Sequence, residues 1–75
     1  MKCIFNERIK ELRIENKLNQ NELAEKCKVK QSCISKWECG ETLPDAEVII
    51  LLAKIFNVSS DFLLGISDYW IYKKN

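Results

Sequence analysis

Two glycines and one proline are all that this chain of 75 residues contains, and their scarcity limits how it can fold. Gly40 and Gly65 each follow an apolar segment with helical spacing, and Pro44 precedes another. Because hairpins and long loops depend on such residues, little material is left for them. With 47% apolar and 31% charged residues, the sequence predicts one small, compact helical domain.

The first helix is predicted over residues 6–16. Phe5, Ile9 and Leu12 recur there at the spacing i, i+4, i+7 that places side chains on one helix face. Asn6 is the predicted N-cap, because its short polar side chain can accept from the free N–H groups of the first turn. Leu18, in the link that follows, is predicted to be a buried anchor.

Four more short helices are predicted over residues 20–27, 31–38, 46–56 and 60–64. Asn19 is the N-cap of the second, and Glu22, three residues later, resembles the partner in a capping box. Asp45 and Ser59 are the predicted N-caps of the fourth and fifth helices. Asn57 is predicted to end the fourth in the left-handed conformation. The predicted fold class is all-α, with five helices around one core and no strands.

Three cysteines, Cys27, Cys33 and Cys39, are spaced six residues apart, which raises the question of a metal or redox site. On one continuous helix each six-residue step turns the side chain by about 240° net, so the three would point in different directions. Zinc sites usually use ligand pairs two to four residues apart, and the chain has neither such a pair nor a histidine. We therefore predict no metal and no cofactor. Cys27 is interpreted as buried, Cys33 as partly buried, and Cys39 and Cys3 as exposed free thiols.

Catalysis and membrane insertion also lack candidates. Without histidine, a glycine-rich phosphate loop or a close carboxylate pair, the sequence indicates no enzyme. The first ten residues carry charges where a signal peptide has its apolar segment, and the apolar run at 48–56 is shorter than the roughly 20 residues of a membrane span. We expect a cytoplasmic protein with reduced thiols and no membrane partner. Two disulfides in a secreted protein are the alternative.

The second and third helices are separated by the short link "KVK", a geometry in which the later helix can lie in the DNA major groove. Ile34 and Trp37 are predicted to face inward. Glutamine can pair with adenine and lysine with guanine, so an outward face with these side chains can contact bases. Residues 1–38 carry nine Lys or Arg against six Asp or Glu, and residues 39–75 three against five. The pattern alone leaves open DNA recognition and a solvated polar face. The outward residues are Gln31, Ser32, Ser35 and Lys36.

Two stretches, "NQNELAEKCKVKQSCISKWECGETLP" and "VIILLAKIFNVSSDFLLG", resemble the helix-turn-helix domain of the Cro and phage-repressor family, also called the XRE family. Its landmarks, among them "LRIENKLNQNELA", "ISKWECG" and "FLLG", are spread over roughly residues 5–65. The resemblance implies a lambda-repressor-like DNA-binding domain over residues 1–66, with the helix-turn-helix at about 20–39. Residues 67–75 then form an aromatic and basic tail that can contribute to a dimer.

The resemblance also implies roles for individual side chains. Arg13 and Glu38 match a partly buried salt bridge that ties the first helix to the third. Gln20 matches a position that contacts a phosphate and braces the base-contacting helix. The base-contacting positions are Gln31, Ser32 and Lys36, and the DNA-backbone positions are Gln20, Lys30 and Ser35.

The chain departs from the family pattern at several positions. Lys28 stands where glycine is usual after the second helix, so we predict a positive φ there, with strain of about 1–2 kcal/mol. Lys30 replaces the usual Ser or Thr cap, which weakens the cap by about 1 kcal/mol and adds a cation near the phosphates. Glu41 and Asp45 follow Gly40 where many relatives are basic. We therefore expect one copy to bind DNA weakly and to depend on a second.

Apolar residues on the fourth helix form two stripes. The first is predicted to face the core: Ile49, Leu52, Ala53 and Phe56. The second requires a cover, because an exposed apolar patch favours association. Either the tail residues Tyr69, Trp70 and Ile71 fold back over it, or another copy of the chain does, and we expect a homodimer. The second stripe consists of Val48, Leu51 and Ile55.

Together these observations predict a transcriptional regulator that binds double-stranded DNA. The resemblance implies a repressor of phage or mobile-element type that binds a palindromic operator as a dimer. The alternative is an antitoxin or adaptor, a protein-interaction module with weak or no DNA recognition. The near-neutral net charge and the acidic residues after Gly40 favour that alternative.

Overall fold

The computed structural model describes residues 4–65, so Cys3 and the predicted tail contacts of Tyr69 and Trp70 lie outside the described residues. Within this range the chain forms five helices and no strand. None of these helices is long and apolar enough to cross a membrane. The helices are α1 (Phe5–Glu15), α2 (Gln20–Cys27), α3 (Gln31–Cys39), α4 (Ala46–Phe56) and α5 (Ser60–Leu64). The predicted five-helix fold is confirmed.

The predicted N-cap of α1 is wrong. Ile4 occupies that position and makes no side-chain capping hydrogen bond, so the helix begins at Phe5 and Asn6 lies in its first turn. Phe5 is fully buried. Burial of this ring therefore determines where α1 begins, without a capping side chain. The Asn6 side chain instead lies beside Gly40, at the end of α3.

The other predicted N-caps are confirmed. The Asn19 side chain accepts from the Glu22 N–H at 2.7 Å, and the Glu22 carboxylate accepts from the Asn19 N–H at 2.8 Å, which completes a capping box. Asp45 accepts from the Val48 N–H at the start of α4. Ser59 accepts from the N–H three residues later at the start of α5. Each bond satisfies an N–H group that a helix start leaves free.

Left-handed residues end four of the helices. Lys28 has φ 59°, as predicted from its place in the turn after α2, and Asn57 has φ 55° after α4. Gly40 follows α3, which is one residue longer than predicted, and Gly65 follows α5. Lys17, in the link after α1, also has a positive φ, which the sequence analysis missed. Such residues let the chain reverse direction within two or three positions.

The core receives at least one fully buried side chain from every helix. Trp37 on α3 is 6% exposed and packs with them. Leu18, predicted to be buried, is only half-buried, because it lies in the exposed link between α1 and α2 and packs against the edge of the core. The fully buried large side chains are Phe5, Ile9, Leu23, Ile34, Leu52 and Leu63.

Helix α4 differs from its prediction in one core position. Leu52, Ala53 and Phe56 are buried, but Ile49 is only half-buried and lies outside the core. In this first turn Val48, one position before Ile49, packs against the core in its place. The second stripe is half-buried and packs against the domain's own core, so it needs less external cover than we expected. It comprises Val48, Leu51 and Ile55.

A two-pronged ion pair joins α1 to α3. Arg13 Nε donates to Glu38 Oε2 at 2.6 Å and Arg13 Nη2 donates to Glu38 Oε1 at 3.1 Å. A third donor, Nη1, reaches the Leu18 carbonyl at 2.9 Å, so the same guanidinium also holds the link after α1. The side chains of Arg13 and Glu38 are only 14% and 5% exposed. Water therefore screens this pair far less than a surface pair.

Replacement of Lys28 by glycine tests the strain at the end of α2. We expect Lys28→Gly to raise the free energy of unfolding by about 1 kcal/mol, because glycine adopts a positive φ without a steric cost. The control Lys26→Gly lies inside α2 and should lower it by about 1 kcal/mol. Urea denaturation measures both. Equal destabilisation by the two variants would contradict a strained Lys28.

A double-mutant cycle tests the ion pair. Glu38→Leu alone should lower the free energy of unfolding by about 3 kcal/mol, since it leaves the Arg13 guanidinium without its carboxylate. Arg13→Met combined with Glu38→Leu should cost clearly less than the sum of the two single changes. Glu25→Leu, at an exposed site on α2, is the control and should change stability by less than about 0.5 kcal/mol. Additive single effects would show that the pair is not coupled.

Candidate nucleic-acid interface

Helix α3 presents one face to the core and the other to solvent. Ile34 is fully buried and Trp37 nearly so, which fixes the rotation of the helix about its axis. Cys33, which is half-buried, also packs against the core. Among the sequence-predicted contacts, Ser35 is half-buried, and Gln31, Ser32 and Lys36 are exposed, as is Lys30 at the N-cap. The three predicted base-contacting residues therefore share one exposed surface.

The side chain of Gln31 is connected to the ion pair of Arg13 and Glu38. Gln31 Nε2 donates to Gln20 Oε1, and Gln20 Nε2 donates to Glu38 Oε1 at 3.1 Å. The polar contacts thus connect, in this order, Arg13 on α1, Glu38 on α3, Gln20 at the start of α2 and Gln31 at the start of α3. The resemblance implied the pair of Arg13 and Glu38 and a bracing role for Gln20, but not that Gln20 joins Gln31 to that ion pair.

The N-terminus of α3 lacks a capping side chain. Lys30 has φ −79° and ψ 151° and makes no side-chain capping hydrogen bond, as the sequence predicted. The Cys33 N–H bonds to the Lys30 carbonyl at 2.9 Å, which leaves the N–H groups of Gln31 and Ser32 as free helix donors. These donors, the positive end of the helix dipole and the Lys30 ammonium lie together. This combination favours an anion such as a phosphate.

Acidic side chains are kept away from the exposed face of α3. Glu38 is the helix's one acidic residue, and its carboxylate is buried against Arg13 and Gln20. Glu41, Asp45 and Glu47 are exposed, but they follow the C-terminal end of the helix. A polyanion that approaches the N-terminal half of α3 therefore meets lysine and neutral polar groups first.

The cysteines do not form a site in the described part of the chain. Cys27 is buried, and its burial raises the pKa of the thiol to about 11, which disfavours the reactive thiolate. Cys33 is half-buried and Cys39 is exposed, as the sequence analysis interpreted them. Within residues 4–65 no group of three or more His, Cys, Asp or Glu side chains is placed to hold a metal ion.

Apolar exposure is found at positions that the sequence analysis did not single out. Ile50 on α4 is 53% exposed and Leu43, in the link between α3 and α4, is 58% exposed. Ile14 on α1 is 57% exposed. The unbroken run "VIILL" hid Ile50, because continuous apolar residues on a helix do not reveal which of them faces out.

Comparison with known proteins supplies the family. A family model described as Helix-turn-helix matches residues 9–63. The transcriptional activator BcrR of Enterococcus faecalis is 42% identical over 61 residues, which are 81% of this chain and 30% of BcrR. The chain thus spans less than a third of that relative's length.

Solved structures agree with the sequence comparison. The P22 c2 repressor in complex with a synthetic operator has a TM-score of 0.77 at 37% identity, over 80% of this chain and 91% of that one. A transcriptional regulator from Listeria innocua has a TM-score of 0.83 at 31% identity, over all of this chain and 64% of that one. The resemblance to the Cro and phage-repressor family is confirmed, and the chain belongs to the XRE type of the helix-turn-helix family.

Proposed function

We propose that this chain is the sequence-specific DNA-binding domain of a transcriptional regulator and that α3 enters the major groove of double-stranded DNA. The observation that carries this proposal is the exposed face of α3. Gln31, Ser32 and Lys36 are exposed there, while Ile34 and Trp37 fix the rotation of the helix from below. The major groove accepts one α-helix, and these side chains can donate to or accept from base edges.

Base contact and backbone contact fall to different residues. Lys36, in the second turn of α3, can donate to guanine, and Gln31 can pair with adenine. Lys30, Ser35 and the N-terminal N–H groups of α3 bind phosphates, and so set the register of the domain on the duplex. Sequence preference then comes from the first group and most of the affinity from the second.

The polar network prepares Gln31 for its contact. The Gln31 side chain is held by Gln20, and Gln20 is held by Glu38. A side chain already ordered in the free protein loses less conformational entropy on binding than a free one. Gln20 remains in place to brace Gln31, while its backbone N–H, at the start of α2, can donate to a phosphate oxygen.

Binding as a homodimer to a palindromic operator is the second part of the proposal. One copy offers few phosphate contacts, because the link after α3 carries Glu41 and Asp45 in place of basic residues. Two copies on half-sites one helical turn apart add their contacts. The proposed dimer surface is the half-buried stripe of α4: Val48, Leu51 and Ile55. Repression then follows from a dimer that occludes a promoter.

Variants at Lys36 and Lys30 separate base contact from phosphate contact. With an operator selected from random DNA, Lys36→Ala should change the preferred base at one position, at a cost of about 1–3 kcal/mol for the cognate base. Lys30→Ala should weaken binding to all DNA sequences alike. It should also reduce by about one the number of phosphate contacts that the salt dependence of binding indicates. Lys54→Ala, on α4, is the matched control and should leave both unchanged.

The measurement is a fluorescence-anisotropy titration at several salt concentrations. Unchanged binding in both α3 variants would mean that α3 does not contact DNA in this way. If no DNA sequence is selected from the random pool and the chain is not retained on heparin, the adaptor or antitoxin alternative is favoured.

Substitution within α4 tests the dimer. Val48→Glu should shift sedimentation equilibrium from dimer to monomer and weaken binding to a palindromic operator, because a carboxylate would be buried in the interface. Ile50→Glu adds the same charge to the same helix outside the stripe and is the control. Both should leave the helical circular dichroism spectrum intact, since Val48 is only half-buried at the edge of the core and Ile50 is exposed. A wild-type chain that stays monomeric at high micromolar concentration would contradict the dimer.

A further inference from the structure

A groove of about 740 Å³ lies on the side of the domain formed by α1, α5 and the end of α4. Its apolar floor includes Leu12, Phe56, Val58 and the half-buried ring of Phe62. No residue of α2 or α3 lines it, so it is separate from the candidate DNA-contacting surface. A ligand in this groove would therefore bind apart from the proposed DNA contact.

The rim of the groove is acidic. Glu7, Glu11 and Glu15 line it at intervals of four residues, which places their carboxylates in a row along α1. None of the three forms an ion pair with another residue in the range 4–65. Among the described residues, Arg8 is the one cation that lines the groove. Its guanidinium lies 4.0 Å from the centroid of the Phe62 ring and donates to the Phe62 carbonyl. An apolar floor with unpaired carboxylates along one edge suits a ligand that is aromatic and basic.

The chain itself contains such a segment, and it begins beside the groove. Gly65 ends α5 against Ile4, so closely that a Cβ atom on Gly65 would lie 2.7 Å from Ile4 Cγ1, and Ile4 lines the groove. The sequence "ISDYWIYKKN" continues from this point. Ten residues can reach roughly 33 Å when extended, whereas the eleven residues of α1 rise only about 16 Å. The whole groove is therefore within reach of the segment that follows Gly65.

We propose that residues 69–74 of the same chain bind in this groove. Tyr69, Trp70 and Tyr72 bury their rings against the apolar floor, and Lys73 and Lys74 pair with the carboxylates of α1. The sequence analysis offered α4 as the surface for these aromatic residues. The stripe of α4 already packs against the core, and no acidic row borders it, whereas the groove offers apolar and charge complementarity together. This inference does not depend on the proposed DNA binding.

Nuclear Overhauser effects in the chain of 75 residues test the location of the tail. We expect cross-peaks from the Trp70 indole to the methyl groups of Leu12 and Val58. Cross-peaks to Val48 and Leu51 instead, or none to any methyl group, would overturn the proposal. A mixed sample of labelled and unlabelled chains shows whether the tail binds in the groove of its own chain or in that of another copy. Cross-peaks found only between chains would overturn binding within one chain.

A charge exchange tests the acidic rim without disturbing the core. Glu11→Lys should weaken the Trp70 cross-peaks and lower Tm, and Lys73→Glu with Lys74→Glu should do the same. Combination of the three changes should restore both. Glu25→Lys, an exposed change of equal charge on α2, is the matched control and should leave the cross-peaks unchanged. Equal effects of Glu11→Lys and Glu25→Lys would overturn the pairing.

DNA affinity separates this proposal from the proposed function. At a fixed salt concentration, Glu11→Lys should leave the ratio of affinities for different operator sequences unchanged, because Glu11 does not belong to α2 or α3. A loss of Trp70 cross-peaks with unchanged sequence preference supports the tail site. A changed base preference in Glu11→Lys would overturn the separation of the two surfaces.

Discussion

The buried ion pair of Arg13 and Glu38 is the contact on which the arrangement of α1, α2 and α3 depends. It joins α1 to α3 with two hydrogen bonds, and the same guanidinium holds the link before α2 through the Leu18 carbonyl. Gln20 adds α2 to the same carboxylate. Because both charges are largely removed from water, neither partner is stable there without the other, and alternative rotations of α3 would strand a charge. The pair thus contributes more to the choice of one geometry than to net stability.

That geometry matters for the proposed function, because a helix that contacts bases tolerates little rotation. A turn of α3 by one residue, about 100°, would replace Lys36 on the outward face with the apolar ring of Trp37. Two kinds of restraint prevent this. Ile34 and Trp37 are buried in the apolar core, and the carboxylate of Glu38, near the C-terminal end of the helix, is held by Arg13. The left-handed Lys28 makes the preceding turn short, and Lys30, which makes no side-chain capping hydrogen bond, leaves the first N–H groups of α3 free.

Much of this fold could be predicted from the sequence, because its information is local. Three of four predicted N-caps, at Asn19, Asp45 and Ser59, rest on a side chain within three residues of its partner. The failures required tertiary knowledge. Asn6 looks like a cap until Phe5 is known to be buried, and Ile49 fits the core stripe until the extent of the core is known. For the candidate site, the face of α3 followed from helical phase, whereas the link from Gln31 through Gln20 to Glu38 depends on how α2 and α3 meet. No spacing rule predicts such a contact.

The weakly charged composition takes on a different meaning once the charges are placed. A net charge of +1 is small for a protein that binds a polyanion. Three of the acidic residues, however, lie in a row on α1 beside a groove that α3 does not touch, and Glu38 is neutralised by Arg13. The lysine at the N-terminus of α3 thus lies away from the acidic row of α1 and from the paired carboxylate of Glu38. Since the potential within a Debye length of about 8–10 Å governs DNA contact, the local arrangement of charge decides the partner more than the sum does.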